Sequence, residues 1–375
     1  MHPVALVRLG LMLPFLGFLP DCASKPDQVD RTGPLSEVST EPPEAFQEAL
    51  HTHYQVDLAT LANQPIYLRY HQGENEPQAI ASAMSKISQR VTELYSRLDQ
   101  DNPLSDISRL NNSEVGSWVS LDPDVTRALD RARRLNQLTG GAFDIAIGPV
   151  FALYRFDQQE HSELPSHADI KAALRLTGAD AFTLDAANSR AKRNYQGVSL
   201  NLSALIDGSV IDRGIEVAQE FALTGVSVSF SGESRVIPHK EPGLFFPFTI
   251  SDPRAKQRGG ILIRRGAVSA SGDSERFFTA QGRRYSHILD PTTGMPTESG
   301  VYQVYVFADE CWLSDGLSTA FVAMGIDRAK ALLASLKGVD AFILLEGADQ
   351  QRVRYQSPGI VRLDTGAFLW SPDRH

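Results

Sequence analysis

The spacing of hydrophobic residues from position 54 onward predicts two strands followed by a long amphipathic helix. Residues 54–70 are typical of strands on either side of a turn. Residues 99–103, DQDNP, predict the end of the helix that follows. We expect Met84 and Tyr95 to belong to the buried face of this helix or its flank rather than to a ligand site. Its apolar side chains recur every three or four residues, as in a helix with one buried face: Ile80, Met84, Ile87, Val91, Leu94 and Leu98.

The same spacing rules predict helices and strands in the rest of the chain. Pro123 opens a second helix that ends at residues 139–141, TGG, where glycine follows the last helical residue. Residues 141–150, GAFDIAIGPV, are consistent with a helix cap and a short strand, or with a close approach of the backbone to a ligand at Gly140 and Gly141. A final long helix is expected to start at Asp315 and to run through Met324. Between them we expect a helix near 168–176, a hairpin up to 196, a loop over 203–208, a helix over 209–221, and strands over 226–230 and 301–307.

This order of elements predicts an α+β protein with mixed, largely antiparallel sheets flanked by helices. We expect two lobes that interleave in sequence, with the functional site in a cleft between them. A hydrophobic content of 42% supports a substantial core.

The N-terminus has the pattern of an export signal. Arg8 precedes an apolar run over residues 9–19, which is too short for a membrane span and suits a signal peptide. We therefore predict a signal peptide over 1–22, a flexible tether over 23–45 that is rich in Pro, Ser and acidic residues, and a folded domain over 46–375. Leu19-Pro20-Asp21-Cys22 is also a candidate lipoprotein signal, although Asp21 is atypical, so a periplasmic protein is expected with or without an anchor at Cys22.

Charge and residue pattern exclude several classes of function. The net charge of −9, without a run of Lys or Arg, argues against a nucleic-acid-binding surface. An anionic ligand would have to be held by turn amides, a few cations or a metal. We find no P-loop, no Rossmann glycine pattern and no G-x-S-x-G. No His or Cys cluster has zinc spacing, so soft-metal chemistry is not expected, and His51 and His53 are interpreted as surface residues.

Residues 283–296, RRYSHILDPTTGMP, form the segment that is richest in groups capable of chemistry. The segment predicts the end of a strand and a tight turn at Asp290-Pro291-Thr292-Thr293-Gly294, because Pro fixes φ and Asp and Gly suit turn positions. An ordinary hairpin loop and part of a functional site are both consistent with this segment alone.

Two oxygen-bearing side chains, Asp315 and Thr319, lie four residues apart on one face of the last long helix. Mg²⁺ takes such oxygen ligands, usually together with a backbone carbonyl and phosphate oxygens. An aspartate that caps a helix start explains Asp315 equally well. The start of the helix after residues 203–208 likewise suits either an anion site or an ordinary loop.

Five motifs in this order and spacing resemble the FAD:protein FMN transferase family, which is also called ApbE-like. They are SDISRLN (105–111), TGGAFDIAIGPV (139–150), SGDSERFF (271–278), RRYSHILDPTTGMP (283–296) and SDGLSTAFVAMG (314–325). The resemblance covers about residues 50–347 and implies an exported enzyme that binds FAD and Mg²⁺. Such an enzyme transfers FMN from FAD to a Thr or Ser hydroxyl of an acceptor protein and releases AMP.

The resemblance also implies roles for individual residues. Asp315 and Thr319 would hold the metal together with the backbone carbonyl near Ala204. His287 and Asp290 would border the diphosphate as catalytic residues, with His287 donating to it or handling a proton. The remaining residues implied to enclose the flavin nucleotide are Ser105, Ser108, Asn111, Ala142, Phe143, Asp144, Asp207, Glu233 and Ser271, in addition to His287.

The middle loop departs from the family pattern. Residues 201–212, NLSALIDGSVID, carry Asp207 where a lysine is usual, and a like-charge contact with a diphosphate at 4 Å would cost on the order of 4 kcal/mol. Other departures are Ala146 for Thr, Ser209 for an aromatic residue, Ser231 for Gly, and Leu50-His51-Thr52 for Met-Gly-Thr. An active transferase, a non-catalytic homologue that binds flavin or metal, and an enzyme that hydrolyses FAD to FMN and AMP therefore all remain candidate functions.

Overall fold

The computed structural model of the chain describes residues 53–71, 73–156, 160–161, 163–255, 257–273, 277–347, 351–363 and 367–372. The expected signal peptide, tether and first folded residues, 1–52, lie outside the described residues, as does the central part of SGDSERFF.

The described residues contain eight α-helices and eighteen β-strands. The helices are α1 (Pro77–Leu98), α2 (Asp106–Asn111), α3 (Pro123–Leu138), α4 (Gly148–Tyr154), α5 (His167–Leu174), α6 (Ile206–Glu220), α7 (Cys311–Met324) and α8 (Ile326–Leu333). The strands are β1 (His53–Leu61), β2 (Gln64–His71), β3 (Val119–Ser120), β4 (Glu160–His161), β5 (Phe182–Asp185), β6 (Arg190–Arg193), β7 (Val226–Phe230), β8 (Glu233–Ile237), β9 (Phe246–Asp252), β10 (Gln257–Ile263), β11 (Gly266–Gly272), β12 (Phe277–Ala280), β13 (Arg283–Ser286), β14 (Val301–Ala308), β15 (Asp340–Glu346), β16 (Arg352–Gln356), β17 (Val361–Arg362) and β18 (Phe368–Trp370).

One eight-stranded sheet forms the centre of the fold, in the order β1-β2-β7-β8-β11-β14-β15-β16, with every neighbouring pair antiparallel. Helices α1, α6 and α7 contribute to the core on one face, and a four-stranded sheet, β17-β18-β10-β9, contributes to the core on the other. Strand β14 is buried along its whole length because its alternate side chains enter these two cores, Val304 on the helical side and Tyr305 on the other. The predicted α+β class with largely antiparallel sheets is confirmed.

A third apolar cluster joins segments that are far apart in the chain. Helices α4 and α5 pack with β12 and the turn after β13, through Val150, Tyr154, Ile170, Phe278 and Leu289. The Tyr154 hydroxyl donates to the Gly294 carbonyl at 2.8 Å, and burial raises the pKa of Tyr154 to about 12. Helices α4 and α5 thus share one apolar cluster with β12 and the turn after β13, although more than 100 residues separate these segments in the chain.

Most element predictions are confirmed, and the errors are one predicted strand and the first residues of two helices. The stretch after Phe143 continues into a 3₁₀ turn (Ile145–Ile147) and α4, so the predicted short strand there is wrong. Helix α6 starts at Ile206 and α7 at Cys311, three and four residues before the predicted starts. No helix in the described part of the chain is long and apolar enough to cross a membrane.

Asp212 fixes the start of helix α7. Its side chain is fully buried, and its carboxylate accepts hydrogen bonds from the N–H groups of Cys311 (2.9 Å) and Trp312 (3.0 Å). Arg235 Nη1 lies 2.7 Å and Arg131 Nη1 3.6 Å from the same carboxylate. Asp212 therefore joins α6, α7 and β8 and determines the position of every residue on the first turns of α7.

We expect Asp212→Ala to destabilise the fold by about 3–5 kcal/mol, because it leaves Arg235 and two helix N–H groups unpaired in the interior. Urea unfolding would measure the loss. The matched control, Asp309→Ala, removes a 58% exposed carboxylate paired with Arg265 and should change stability by less than about 1 kcal/mol. Equal effects of the two variants would contradict the role given to Asp212.

Candidate functional site

A cleft of about 290 Å³ opens where α1, α6, α7 and the strand ends of β8 and β11 meet the turn after β13. Its volume is close to that of small-molecule sites. The described residues that line it are Ala62, Gln64, Tyr95, Asp99, Gln100, Asp101, Ala142, Phe143, Asp144, Ile145, Ile147, Phe151, Asn201, Ser203, Ala204, Ile206, Asp207, Phe230, Ser231, Glu233, Ala270, Ser271, Gly272, His287, Ile288, Leu289, Pro291, Asp315 and Thr319.

Three carboxylates, Asp207, Glu233 and Asp315, form what we call the carboxylate cluster. Glu233 and Asp315 are 5% and 4% exposed, whereas Asp207 is half-buried in the first turn of α6. Burial, and then the charges of Asp315 and Asp207, raise the pKa of Glu233 well above its usual value. Burial and the charge of Asp207 likewise raise the pKa of Asp315 well above its usual value. The three carboxyl groups therefore lie close enough for the charge of Asp207 to act on both buried neighbours.

Helix packing brings Asp315 to this position. The Gly208 N–H donates to Asp315 Oδ2 at 2.9 Å, and a Cβ on Gly208 would lie 2.6 Å from the Cys311 carbonyl oxygen. Only glycine allows α6 and α7 to approach this closely. Since α7 begins at Cys311, Asp315 lies in its second turn, which rules out the alternative that it caps the helix start.

Hydroxyl groups extend the oxygen-rich surface beside the cluster. Ser271 Oγ, at the end of β11, lies 2.7 Å from Ser318 Oγ and 3.1 Å from Thr319 Oγ1. Thr319 is half-buried and lies one turn after Asp315, so the two oxygens share a helix face as predicted. Ala204, the third residue implied as a metal ligand, also lines the cleft.

The turn after β13 contributes His287 but not the Asp290 carboxylate. His287 lines the cleft together with Ile288, Leu289 and Pro291. Asp290 is not among the lining residues; its side chain accepts from the Thr292 N–H (2.8 Å) and from Thr293 Oγ1 (3.2 Å), which closes the turn. The predicted tight turn is confirmed, while the position of Asp290 favours a structural role over the catalytic one expected for it.

Ser105, Ser108 and Asn111 are not among the described residues that line the cleft. Ser105 caps α2 by accepting from the Ser108 N–H at 2.9 Å, and both serines are buried. The Asn111 side chain donates to the Leu200 carbonyl (2.9 Å) and accepts from the Leu200 N–H (2.7 Å). The Asn111 contacts hold α2 against the loop before α6, and the Ser105 side chain stabilises the start of α2. Contact of these three residues with a flavin nucleotide stays a prediction.

The segment after α3 does reach the cleft. Ala142, Phe143 and Asp144 line it, as expected. The Asp144 carboxylate accepts from the N–H groups of Ala146 (2.9 Å) and Gly178 (2.7 Å), while burial raises its pKa above the usual value. The Asp144 carboxylate therefore stabilises this wall of the cleft by binding the backbone N–H groups of Ala146 and Gly178.

Several lining residues were missed by sequence reasoning. Tyr95 was assigned to the helix flank, yet it lines the cleft and meets Phe230 edge to face, with ring centroids 6.1 Å apart. Phe151, Asp99 and Gln100 were not singled out either. In the sequence, Tyr95 lies beside the apolar stripe of α1 and not on it. This position is the sequence signal that could have indicated its place in the cleft.

The donors in the cleft suit a hard cation. The carboxylate cluster, two hydroxyls and the backbone near Ala204 offer only oxygen atoms, which are the ligands that Mg²⁺ prefers. Among the described lining residues there is no lysine or arginine that could balance the cluster or bind a phosphate. A cation between the cluster and an anionic ligand would remove the repulsion between them.

Comparison with known proteins gives consistent matches. The model of the ApbE family matches residues 50–343. Curated relatives named FAD:protein FMN transferase include that of Klebsiella pneumoniae, 27% identical over 82% of this chain and 94% of its own length. The relative of the same name from Treponema pallidum is 30% identical over 67% of this chain and 72% of its own.

Solved structures match over a similar span. The ApbE protein of Thermotoga maritima superimposes with a TM-score of 0.69 at 29% identity, covering 82% of this chain and 97% of that protein. Flavin transferase ApbE from Vibrio cholerae gives a TM-score of 0.70 at 24% identity, covering 82% of this chain and 98% of its own, which shows a shared fold.

Proposed function

Since the chain belongs to the ApbE family, we propose that it is an FAD:protein FMN transferase. It would transfer FMN from FAD to a Thr or Ser hydroxyl of an acceptor protein, in a reaction that depends on Mg²⁺ and releases AMP.

The observation that carries this proposal is the oxygen-lined end of the cleft. The carboxylate cluster lies beside the Ser271 and Thr319 hydroxyls, and the described lining holds no lysine or arginine. Negative charge on these groups would repel a diphosphate, and a cation between them would remove that repulsion. These residues thus fit a ligand that enters together with a divalent metal, as a dinucleotide with its diphosphate does.

Each part of the cleft has a distinct task in this proposal. Asp315, Thr319 and the Ala204 carbonyl would hold Mg²⁺, and the Gly208 N–H keeps one Asp315 oxygen in place. When bound, Mg²⁺ would neutralise charge on the diphosphate oxygens. Tyr95, Phe143 and Phe230 provide apolar and aromatic surface for flat rings.

The bond changes are those of a phosphoryl-type transfer. The acceptor hydroxyl oxygen forms a bond to the phosphorus of the FMN half, while the phosphoanhydride bond breaks and AMP leaves with the bridging oxygen. The hydroxyl proton is lost in the same step. We assign its handling to His287, the imidazole that lines the cleft.

FAD turnover with and without an acceptor tests this proposal. Chromatography would measure the release of AMP. We expect this release to require Mg²⁺ and to depend on an acceptor domain that carries a reactive threonine. AMP release at the same rate without acceptor would indicate FAD hydrolysis instead. Flavin binding without any AMP would indicate a non-catalytic homologue.

We further propose that residues 1–22 direct export and that the mature protein works in the periplasm, with Cys22 as a lipid anchor. These residues lie outside the described part of the chain. Labelling of expressing cells with a fatty-acid analogue tests the anchor: incorporation should occur in the wild type and be lost in Cys22→Ala. Labelling that survives in the variant would contradict the assignment.

A further inference from the structure

A cluster of three histidines and one glutamate lies away from the cleft, at one end of the central sheet. We call His53, His71, His239 and Glu74 the histidine cluster. None of them lines the cleft. His53 starts β1 and pairs directly with His71 at the end of β2, while His239 follows the end of β8. The sequence separates His53 from His239 by 186 positions, so only the fold brings them together.

The histidine rings converge at short distances. His53 Nε2 lies 3.1 Å from His239 Nε2, and the ring centroids of His71 and His239 are 5.4 Å apart. Ligand atoms of His71, Glu74 and His239 all lie within 4.8 Å of one another. Two nitrogens bound to one tetrahedral zinc ion at 2.0–2.1 Å are about 3.3 Å apart, which is close to the observed His53–His239 separation.

Glu74 contacts the Nδ1 atom of His239, as carboxylates often do with the ring nitrogen of a metal-binding histidine that does not hold the metal. Glu74 Oε2 lies 2.6 Å from His239 Nδ1, and Glu74 Oε1 accepts from the Lys240 N–H at 2.6 Å. A carboxylate acceptor keeps the proton of His239 on Nδ1 and turns the Nε2 lone pair toward His53.

The surroundings hold this arrangement in place. The fully buried Phe246 stacks on His239, with centroids 4.8 Å apart and planes at 18°, and also packs on His53 at 4.4 Å. Gly225 adopts φ +59°, and a Cβ there would overlap Glu74 Oε2 and lie 2.6 Å from His239 Nδ1. The backbone thus leaves room for the Glu74–His239 pair where another residue would displace it.

We propose that His53, His71 and His239 form a binding site for one divalent transition-metal ion of the zinc class, with Glu74 as the positioning carboxylate. Imidazole nitrogen is a suitable donor for Zn²⁺, Ni²⁺ and Cu²⁺ and a poor one for Mg²⁺. The ion would join the β1–β2 hairpin to the segment after β8. The site is separate from the oxygen donors of the cleft, so the two metals would not compete.

Zinc titration of the full, untagged chain tests this proposal. A fluorescent chelator competes for Zn²⁺ at pH 7 in the presence of excess Mg²⁺, and the thermal midpoint is measured with and without Zn²⁺. We expect one equivalent to bind and to raise the midpoint. His71→Ala and His239→Ala should each weaken binding at least about 100-fold and abolish the thermal shift, and Glu74→Gln should weaken binding about 10- to 100-fold.

Two control variants separate this site from other sites that could bind zinc. His167→Ala removes an exposed histidine on α5 and should leave zinc binding unchanged. Asp315→Asn alters the carboxylate cluster and should also retain one equivalent. Because His71 is only half-buried, His71→Ala tests the site even if His239→Ala fails to fold. Absence of stoichiometric binding in the wild type, or full binding in His71→Ala, would overturn the proposal.

Discussion

Replacing Asp315 with asparagine is expected to reduce Mg²⁺-dependent AMP release at least about 100-fold. The substitution removes the carboxylate charge that the proposed metal site depends on, because a neutral amide binds Mg²⁺ far less strongly. It keeps an oxygen that can accept the hydrogen bond from the Gly208 N–H. Steady-state turnover of FAD over a range of Mg²⁺ concentrations would measure the loss and show whether it reflects weaker metal binding.

A stability measurement separates this effect from damage to the fold. Asp315 is buried close to the charges of Asp207 and Glu233, so neutralising it in the metal-free protein should not lower the thermal midpoint by more than about 2 °C. Asp309→Asn changes an exposed aspartate shortly before Asp315 and should leave turnover unchanged. Wild-type turnover in Asp315→Asn would contradict the assigned metal site.

Replacing Asp207 with lysine is expected to strengthen FAD binding at least about 10-fold, which corresponds to about 1.4 kcal/mol. Asp207 lies on the first turn of α6, where it lines the cleft, and its charge raises the pKa values of both Glu233 and Asp315. A lysine there would neutralise the cluster and attract the diphosphate. Because the position is half-buried, water screens part of the effect. Quenching of flavin fluorescence at fixed Mg²⁺ would measure the affinity.

Two further variants identify the cause of any gain. Asp207→Asn removes the negative charge without adding a positive one and should give an intermediate affinity. Asp101→Lys places the same cation at an exposed position in the lining and should have a smaller effect, because solvent screens it more fully. An affinity of Asp207→Lys equal to the wild type would show that the departure from the family pattern at this position does not limit FAD binding.

Periodic hydrophobic patterns predicted the elements of this fold well, and the limits of those predictions have a physical cause. The stripe along α1 identified a helix that the structure confirms from Pro77 to Leu98. The sequence predicts the start of α7 at Asp315, four residues after the observed start at Cys311. The actual start is stabilised by Asp212, which is 99 positions away from Cys311 and cannot be connected to it by local sequence signals.

The residues of the candidate site were likewise predicted where local spacing indicates them and missed where only the fold brings them together. Asp315 and Thr319 were found because helical spacing alone places them on one face. The family resemblance implied that Ser105, Ser108 and Asn111 contact the flavin nucleotide, whereas in the fold Ser105 caps α2 and Asn111 binds the backbone of Leu200, contacts that no local sequence signal indicates. The sequence does not predict the histidine cluster, because its members come from β1, from β2 and the turn after it, and from the segment after β8, and His53 and His239 are 186 positions apart.

The intact mass of an acceptor domain, measured after incubation with this protein, FAD and Mg²⁺, tests the central claim most directly. We predict that the acceptor gains the mass of one FMN less one water, that the gain disappears when its reactive threonine is replaced by alanine, and that it requires Mg²⁺. An acceptor of unchanged mass, in a reaction where FAD is bound or is cleaved to AMP, would contradict the assignment of this chain as a flavin transferase.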